Sequence, residues 1–272
     1  MSITILIGYA LGLMICMSIV MAAAWAIQQR SGNSGWVDVV WTFGLGLSAA
    51  AVSLLALFDP TRSSDRAVLL TLLVLIWAGR LGWHIVARTN HISDDPRYRQ
   101  LQQDWGESRR RNMFLLLQAQ ALLSLPLGLA IVLAAHNPEP LWRVMDIVAV
   151  AMFATGLAGS ALADLQLKRF KMAEAEGVCD TGLWSWSRHP NYFFECIVWI
   201  AYPLLAIEFS GRYGWGFLAI GAPVCMYWLL TRVSGIPPLE AHMLRKYGDA
   251  YRRYQAETSP FLPLPPGRTT LI

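Results

Sequence analysis

From Ile3 to Ile27 the chain carries no charged side chain, and six more long apolar runs follow. A helix needs about 20 mostly apolar residues to cross a bilayer core, so this pattern restricts the fold more than any other feature. The later runs lie at about 36–58, 66–88, 113–135, 142–163, 191–210 and 213–233. The first has no basic leader and outruns a signal-peptide core, so it reads as a retained span. Pro126 sits inside the fourth run, where a membrane helix tolerates it. The expectation is an all-α integral membrane protein of seven transmembrane helices, forming a single membrane domain over 1–272.

Composition agrees. Only 15% of residues are charged, against about 25% in ordinary soluble domains. Sparse charge and twelve Trp, ten Phe and nine Tyr exclude disorder. The net charge of +4 comes without a long basic run interleaved with aromatic platforms, which argues against a nucleic-acid partner. Cys16, Cys179, Cys196 and Cys225 show no CxxC spacing, so neither a disulfide framework nor a metal centre is expected.

Basic residues set the sidedness. Seven spans leave Arg62, Arg66, Arg143 and Arg212 on one side. The other side receives Arg30, the six arginines from Arg88 to Arg111, Lys168, Arg169, Lys171 and Arg188, then Arg232, Arg245, Lys246, Arg252, Arg253 and Arg268. This split predicts an outside N-terminus and a cytoplasmic C-terminus, with the site opening to the cytoplasm, as in a bacterial inner-membrane protein. The three long connections, about 89–112, 164–190 and 234–272, fall on the basic side, so chemistry with a water-soluble partner is expected there.

Several polar residues intrude on the spans. Arg80, His84 and Arg88 follow at i, i+4 and i+8, along one stripe of the third helix. A charge inside a span is costly and marks a cavity or a partner by default. Asp38 begins the second span; it is either a first-turn acid favoured by the helix dipole or a group in the same cavity as Arg80. Between 91 and 98, Asp94, Asp95, Arg97 and Tyr98 either retain the loop on the basic side or contact ribose and phosphate. Asp164, Lys168 and Lys171 share one face at a helix end. Arg188-His189-Pro190-Asn191-Tyr192 then opens the sixth helix, with Pro190 in its first turn. Such a helix start is a favourable seat for phosphate or carboxylate. Asn191 and Glu195 follow at i and i+4. In the tail, Glu240, His242 and Tyr247 either belong to an amphipathic surface helix or return to close a cofactor pocket. The proline-rich stretch from Pro260 to Pro266 is expected to be non-helical. Gly44-Leu45-Gly46 and Gly156-x-x-Gly159 lie inside spans without a preceding strand, so they read as close helix packing rather than nucleotide loops.

The motifs LWSWSRHPNYFFE at 183–195, AD at 163–164, VDVVWTFG at 37–44, RLGWHIVAR at 80–88 and DDPRY at 94–98 together resemble the steroid 5-alpha-reductase family. The tail segments SGIPPLE, KYGDAYRRY and SPFLPLPP are similar to that family's closing segment, so the resemblance covers nearly the whole chain. It implies a seven-helix membrane enzyme that binds NADPH from the cytoplasmic side and reduces an enone such as a 4-ene-3-oxosteroid. Residues 1–112 would form mainly the pocket for this lipophilic substrate, and 113–272 mainly the cofactor-binding core. Carried over, Asp164, Arg188, His189, Asn191, Tyr192, Glu195 and Glu240 would surround the cofactor. Arg80, Arg88, Asp95 and Tyr98 would meet its nucleotide or phosphate part, and Lys168 and Lys171 its 2′-phosphate. The steroid reductases carry a Gln-Glu pair and a Tyr around the carbonyl. This chain has Val37-Asp38 and Trp77 in those places, which leaves Asp38 with His84 as the expected carbonyl-polarising pair. Membrane methyltransferases of the isoprenylcysteine carboxyl methyltransferase type share a similar C-terminal core and bind S-adenosylmethionine, which is the alternative reading.

Overall fold

The computed structural model describes residues 1–58, 64–173 and 177–267, and those residues contain helices and turns but no strand. Arg62 and Arg268, counted above for sidedness, lie outside the described residues. Eleven α-helices are described: α1 Ile3–Ser31, α2 Gly35–Leu55, α3 Ser64–Thr89, α4 Pro96–Trp105, α5 Arg109–Leu123, α6 Leu125–Ala135, α7 Val144–Met172, α8 Pro190–Ala206, α9 Gly221–Trp228, α10 Ile236–Tyr247 and α11 Asp249–Glu257. Among the described residues, six helical stretches are long and apolar enough to cross a membrane: Ile3–Ser31, Gly35–Phe58, Ser64–Thr89, Pro96–Ala135, Val144–Met172 and Gly214–Tyr247. The run expected at 191–210 forms only the 17-residue α8, shorter than any of those six. The connection expected at 89–112 holds a helix of its own, α4, because Asp95 caps it and Pro96 occupies its first turn.

The chain packs as two compact units, one of residues 1–149 and 202–225, the other of residues 150–201 and 226 onward. In the first unit, α1 buries Leu6, Leu13, Met17, Met21, Ala24 and Gln28. Their spacing of three, four and seven makes one narrow stripe, and isoleucines such as Ile15 and Ile19 stay exposed on the opposite side. Small residues bring α1, α2 and α3 together. A Cβ on Gly46 would come within 2.3 Å of the Ala78 Cβ, and one on Gly44 within 2.3 Å of Val20. The GLGLSA segment is thus a helix contact surface, in the small-residue mode of membrane helices. At the joint between α5 and α6, Ser124 donates to the Gln120 carbonyl at 2.7 Å and accepts from the Trp41 indole at 2.7 Å. Pro126 follows in the first turn of α6, so the fourth run breaks where proline removes a backbone donor.

One end of this unit is locked by buried charge. Arg66 and Asp146 are both fully buried and pair at 2.9 Å. Arg66 also donates to the carbonyls of Leu205 and Pro140, each at 3.1 Å. Arg143 pairs with Asp146 at 2.8 Å and reaches the Ile207 carbonyl at 3.0 Å. These donors, with Asn137 on Leu205 and Ala206, satisfy carbonyls left over at the C-terminus of α8. Arg212 pairs with Glu139 at 2.9 Å. Arg66, Arg143 and Arg212 thus all pair with acids, the first two sharing the single carboxylate of Asp146.

In the second unit, α7 and α8 also meet through glycines. A Cβ on Gly159 would fall 2.3 Å from the Phe194 ring, and one on Gly156 2.7 Å from the Val198 nitrogen. The 3-10 turn Gly182–Ser185 is pinned to α7 because the Trp184 indole donates to the Ala163 carbonyl at 3.0 Å and Gln166 accepts from the Leu183 N–H at 3.0 Å. Gly182 adopts φ 61° with Gln166 packed against it, a position no side chain fits. The segment after α11 is non-helical through the described part of the proline-rich stretch. It lies along residues 184–188, through Leu264 N–H to the Trp186 carbonyl at 2.9 Å and Ser187 Oγ to the Phe261 carbonyl at 2.8 Å.

Candidate functional site

Most of the expected site residues fall into two polar clusters, one in each unit.

The first gathers where α2 begins, α3 ends and α4 begins. Asn33 donates to the Thr89 and Ile92 carbonyls at 3.2 and 2.8 Å, and Asp94 accepts from the Ser34 N–H at 2.7 Å. These bonds fold the connection after α3 back onto the start of α2. Asp95 caps α4 through the Arg97 N–H at 3.0 Å and pairs with Arg97 at 2.8 Å and Arg88 at 3.2 Å. Burial alone would push this carboxyl upward. The hydrogen bond and charge of Arg97, with the charge of Arg88, outweigh burial and hold Asp95 below the usual carboxylate range.

Arg97 also reaches Asp38 at 2.5 Å, and Arg88 lies 3.7 Å from the same oxygen. The other Asp38 oxygen accepts from the Tyr98 hydroxyl at 3.2 Å, and Tyr98 in turn accepts from Gln120 Nε2 at 3.1 Å. The result is a buried phenol held between an amide and a carboxylate, beside two guanidiniums. Asp38 thus meets Tyr98, Arg97 and Arg88. Arg80 and His84 are half-buried on α3 and both are engaged by neighbours. Asp95 has a structural duty as cap and ion-pair centre. Arg88 is 42% exposed and engages Asp95 through Nη2.

Arg97 and Gln120 complete this cluster. The sequence flagged Arg97 only as part of a polar loop and passed over Gln120. The available signal was an amide within an apolar run, which is costly unless it is hydrogen-bonded.

The second cluster forms around the start of α8. Asn191 donates to Asp164 of α7 at 3.2 Å, and Glu195, buried one turn on, accepts from the Trp199 indole at 3.0 Å. Asn191 and Glu195 therefore share a face, with Asp164 opposite the first of them. His189 stacks on Tyr192, with ring centroids 5.4 Å apart and planes 10° from parallel. Its Nε2 meets Glu240 at 3.1 Å, while its buried Nδ1 has no hydrogen-bond partner among the described residues. Burial is the main force on this imidazole. It lowers the pKa despite the opposing pull of Glu240, so the ring is neutral at pH 7, with Nε2 as donor and Nδ1 as bare acceptor.

Arg188 and Glu240 are struts within this unit. Arg188 Nε pairs with Glu240 at 2.7 Å, and Nη1 donates to the Gln255 and Thr258 carbonyls at 3.0 and 2.5 Å. Gln255 gives Glu240 a further bond at 2.8 Å. Glu240 thus both lies on an amphipathic helix and returns to the start of α8. Buried charges need this degree of pairing. Trp199 and Gln255 were not anticipated, because a buried indole N–H or a distant glutamine leaves no local pattern. Lys168 and Lys171 are exposed on the last turns of α7. A shallow apolar groove of about 320 Å³ borders the same region, lined by Leu162, Leu183, Trp186, Pro190, Phe194 and neighbours.

Apolar helices of membrane-crossing length and polar clusters gathered at helix ends place this chain among all-helical proteins built to lie in a membrane. It belongs to the family described as "Protein of unknown function (DUF1295)", whose model matches residues 24–258 and so takes in both clusters. An uncharacterized protein of Schizosaccharomyces pombe is 25% identical over 269 residues, covering 88% of this chain and 75% of the relative. No solved structure matches.

Proposed function

We propose that the protein is an NADPH-dependent membrane reductase that saturates the double bond of a lipophilic enone, such as a 4-ene-3-oxosteroid. The observation that carries the reading is the polar face of α8: Asn191 and Glu195, held by Asp164 and Trp199 inside an otherwise apolar helix. Nothing in helix packing calls for a buried carboxylate there, whereas a ribose or carboxamide takes such groups as partners. The donor set suits a dinucleotide. Asp164, Asn191, Tyr192 and Glu195 would hold its polar ring and ribose, and Lys168 and Lys171 suit an added phosphate. Bound NADPH would supply hydride to the carbon beta to the carbonyl, and a proton drawn from water would complete the saturated ketone at the alpha carbon. Arg188 and Glu240 act beneath this set by fixing the start of α8.

Within the first unit, the Tyr98 hydroxyl, oriented by Asp38 and backed by Gln120, is a donor of the kind that steadies a developing oxyanion. Gln120 stabilises charge on the phenol oxygen by donating to it. Asp38 becomes a positioning group for Tyr98, a change from the expected Asp38–His84 pair.

The same reading takes α8 as a seventh span, with the N-terminus outside, the C-terminus cytoplasmic and the site opening to the cytoplasm of a bacterial inner membrane. At 1.5 Å per residue its 17 residues reach about 25 Å, close to a hydrocarbon core of about 30 Å. The basic residues of the connections support the orientation.

Purified protein in detergent, supplied with NADPH and a 4-ene-3-oxosteroid, is expected to oxidise the cofactor and give the saturated ketone. Tyr98→Phe should lower the rate by roughly 100-fold, the usual scale for a positioned acid, without weakening NADPH binding. Transfer of a methyl group from S-adenosylmethionine to a prenyl or lipid acceptor, with no NADPH oxidation, would replace this reading with the methyltransferase one.

A further inference from the structure

We infer that α1 and α5 form a binding site for an anionic phospholipid, with the acyl chain in the groove between them and the phosphate headgroup on Arg30 and Arg111. This rests on α1 and α5 being embedded in a membrane and is independent of the reductase reading. The groove encloses about 400 Å³ and is walled by Met14, Ile15, Ile19 and Leu122. At its floor Ser18 and Gln118 hydrogen-bond to each other, Ser18 Oγ to Gln118 Oε1 at 2.6 Å and Gln118 Nε2 to the Ser18 carbonyl at 3.3 Å. This pair closes the two helices at one level and leaves apolar walls facing outward.

Toward one end of the groove the helices reach a water boundary. The Trp25 indole donates to the Arg110 carbonyl at 3.1 Å, and its ring meets Phe114 edge-on at 5.7 Å. Tryptophan at such a height marks the headgroup level. Arg111 lies seven residues before Gln118 and Arg30 eleven residues beyond Ile19, near-whole numbers of helical turns, so each arginine continues the line of one groove residue toward that end. From Arg111 down to Gln118 is about 10 Å along the axis, which covers most of one leaflet of about 15 Å. One lipid chain therefore fits between the arginines and the polar floor.

The charge has no protein counterpart. Arg30, Arg109, Arg110 and Arg111 are exposed, and none joins an ion pair among the described residues. Three of them occupy the first turn of α5, where the helix dipole already disfavours positive charge. An anion at that point relieves both effects. A zwitterionic headgroup offers less, because its ammonium would lie among the arginines.

Native mass spectrometry of the detergent-solubilised full chain, titrated with phosphatidylglycerol or phosphatidylcholine of matched chains, tests the site. Wild-type protein is expected to retain phosphatidylglycerol roughly tenfold better, on the scale of membrane-surface arginines. Arg30→Gln combined with Arg111→Gln should bring the ratio near one, while Arg253→Gln leaves it unchanged. Those arginines touch no acid, so the thermal midpoint should stay put. Ile15→Trp, which fills the groove without altering charge, should lower retention of phosphatidylglycerol. Equal retention of the two lipids by wild-type protein, or a preference that survives the double substitution, overturns the inference.

Discussion

His189 shows how single residues here combine support with chemistry. Its ring is buried against Tyr192, one nitrogen is committed to Glu240, and the other faces no donor among the described residues. Burial lowers its pKa from the ordinary value near 6.5, so the unfolded chain takes up the proton first as pH falls. The stability it contributes is complete above about pH 6.5 and is lost progressively as pH drops toward the folded pKa. The thermal midpoint of wild-type protein should therefore fall more steeply between pH 7 and 5, about the range in which histidine titrates, than that of His189→Gln. Parallel curves would contradict this. Asp95 carries the same sign at lower pH, because its pKa is depressed. Glu240→Ala should cost about 3–5 kcal/mol in detergent unfolding, because it strands a buried guanidinium, and Glu240→Gln should cost less. Individual polar residues were legible in the sequence wherever they interrupted an apolar run, as Asp38, Arg80 and Glu195 do. Their partners were not. Which arginine reaches Asp38, or that Glu240 meets Arg188 across 52 positions, depends on long-range packing that no local spacing encodes.

Among the elements, the apolar runs fixed the helices, and the exceptions have physical causes. α4 arises inside an expected connection because an aspartate cap and a proline start it. The fourth run breaks at Ser124 and Pro126, and the last passes from a 3-10 segment through α9 into a π segment at Leu229–Val233. Hydropathy cannot separate these helix types, since all of them present the same residues to lipid. The clamp at the C-terminus of α8 also escaped the sequence, where Arg66 and Arg143 entered only the count of basic residues and Asp146 carried no reading. Asp146→Asn leaves two guanidiniums, one of them fully buried, without a counter-charge. It should destabilise the protein by about 3–5 kcal/mol, read as a lower thermal midpoint, and an unchanged midpoint would refute the clamp. Gly159→Leu should be similarly harmful, because Phe194 occupies the space its side chain needs.

At the scale of the whole molecule, the apolar helices and the uneven distribution of arginine make one claim about orientation. Arg66, Arg143 and Arg212, which the sequence groups apart from the other basic residues, all pair with acids, the first two sharing Asp146. In a cysteine-free background, cysteines placed at Ser108 and Ser210 should react with an impermeant thiol reagent from opposite sides of the membrane, Ser108 from the cytoplasm. Labelling of both from one side would remove α8 as a span. The central claim is that the polar face of α8 holds a dinucleotide. Calorimetric titration of purified protein with NADPH tests it most directly. Wild-type protein should bind at micromolar concentration, and Asn191→Ala and Glu195→Gln should each weaken binding roughly tenfold or more, the scale of one lost hydrogen bond to a charged group, with the fold intact. No heat of binding at hundreds of micromolar cofactor, or equal affinity in all three proteins, would contradict it.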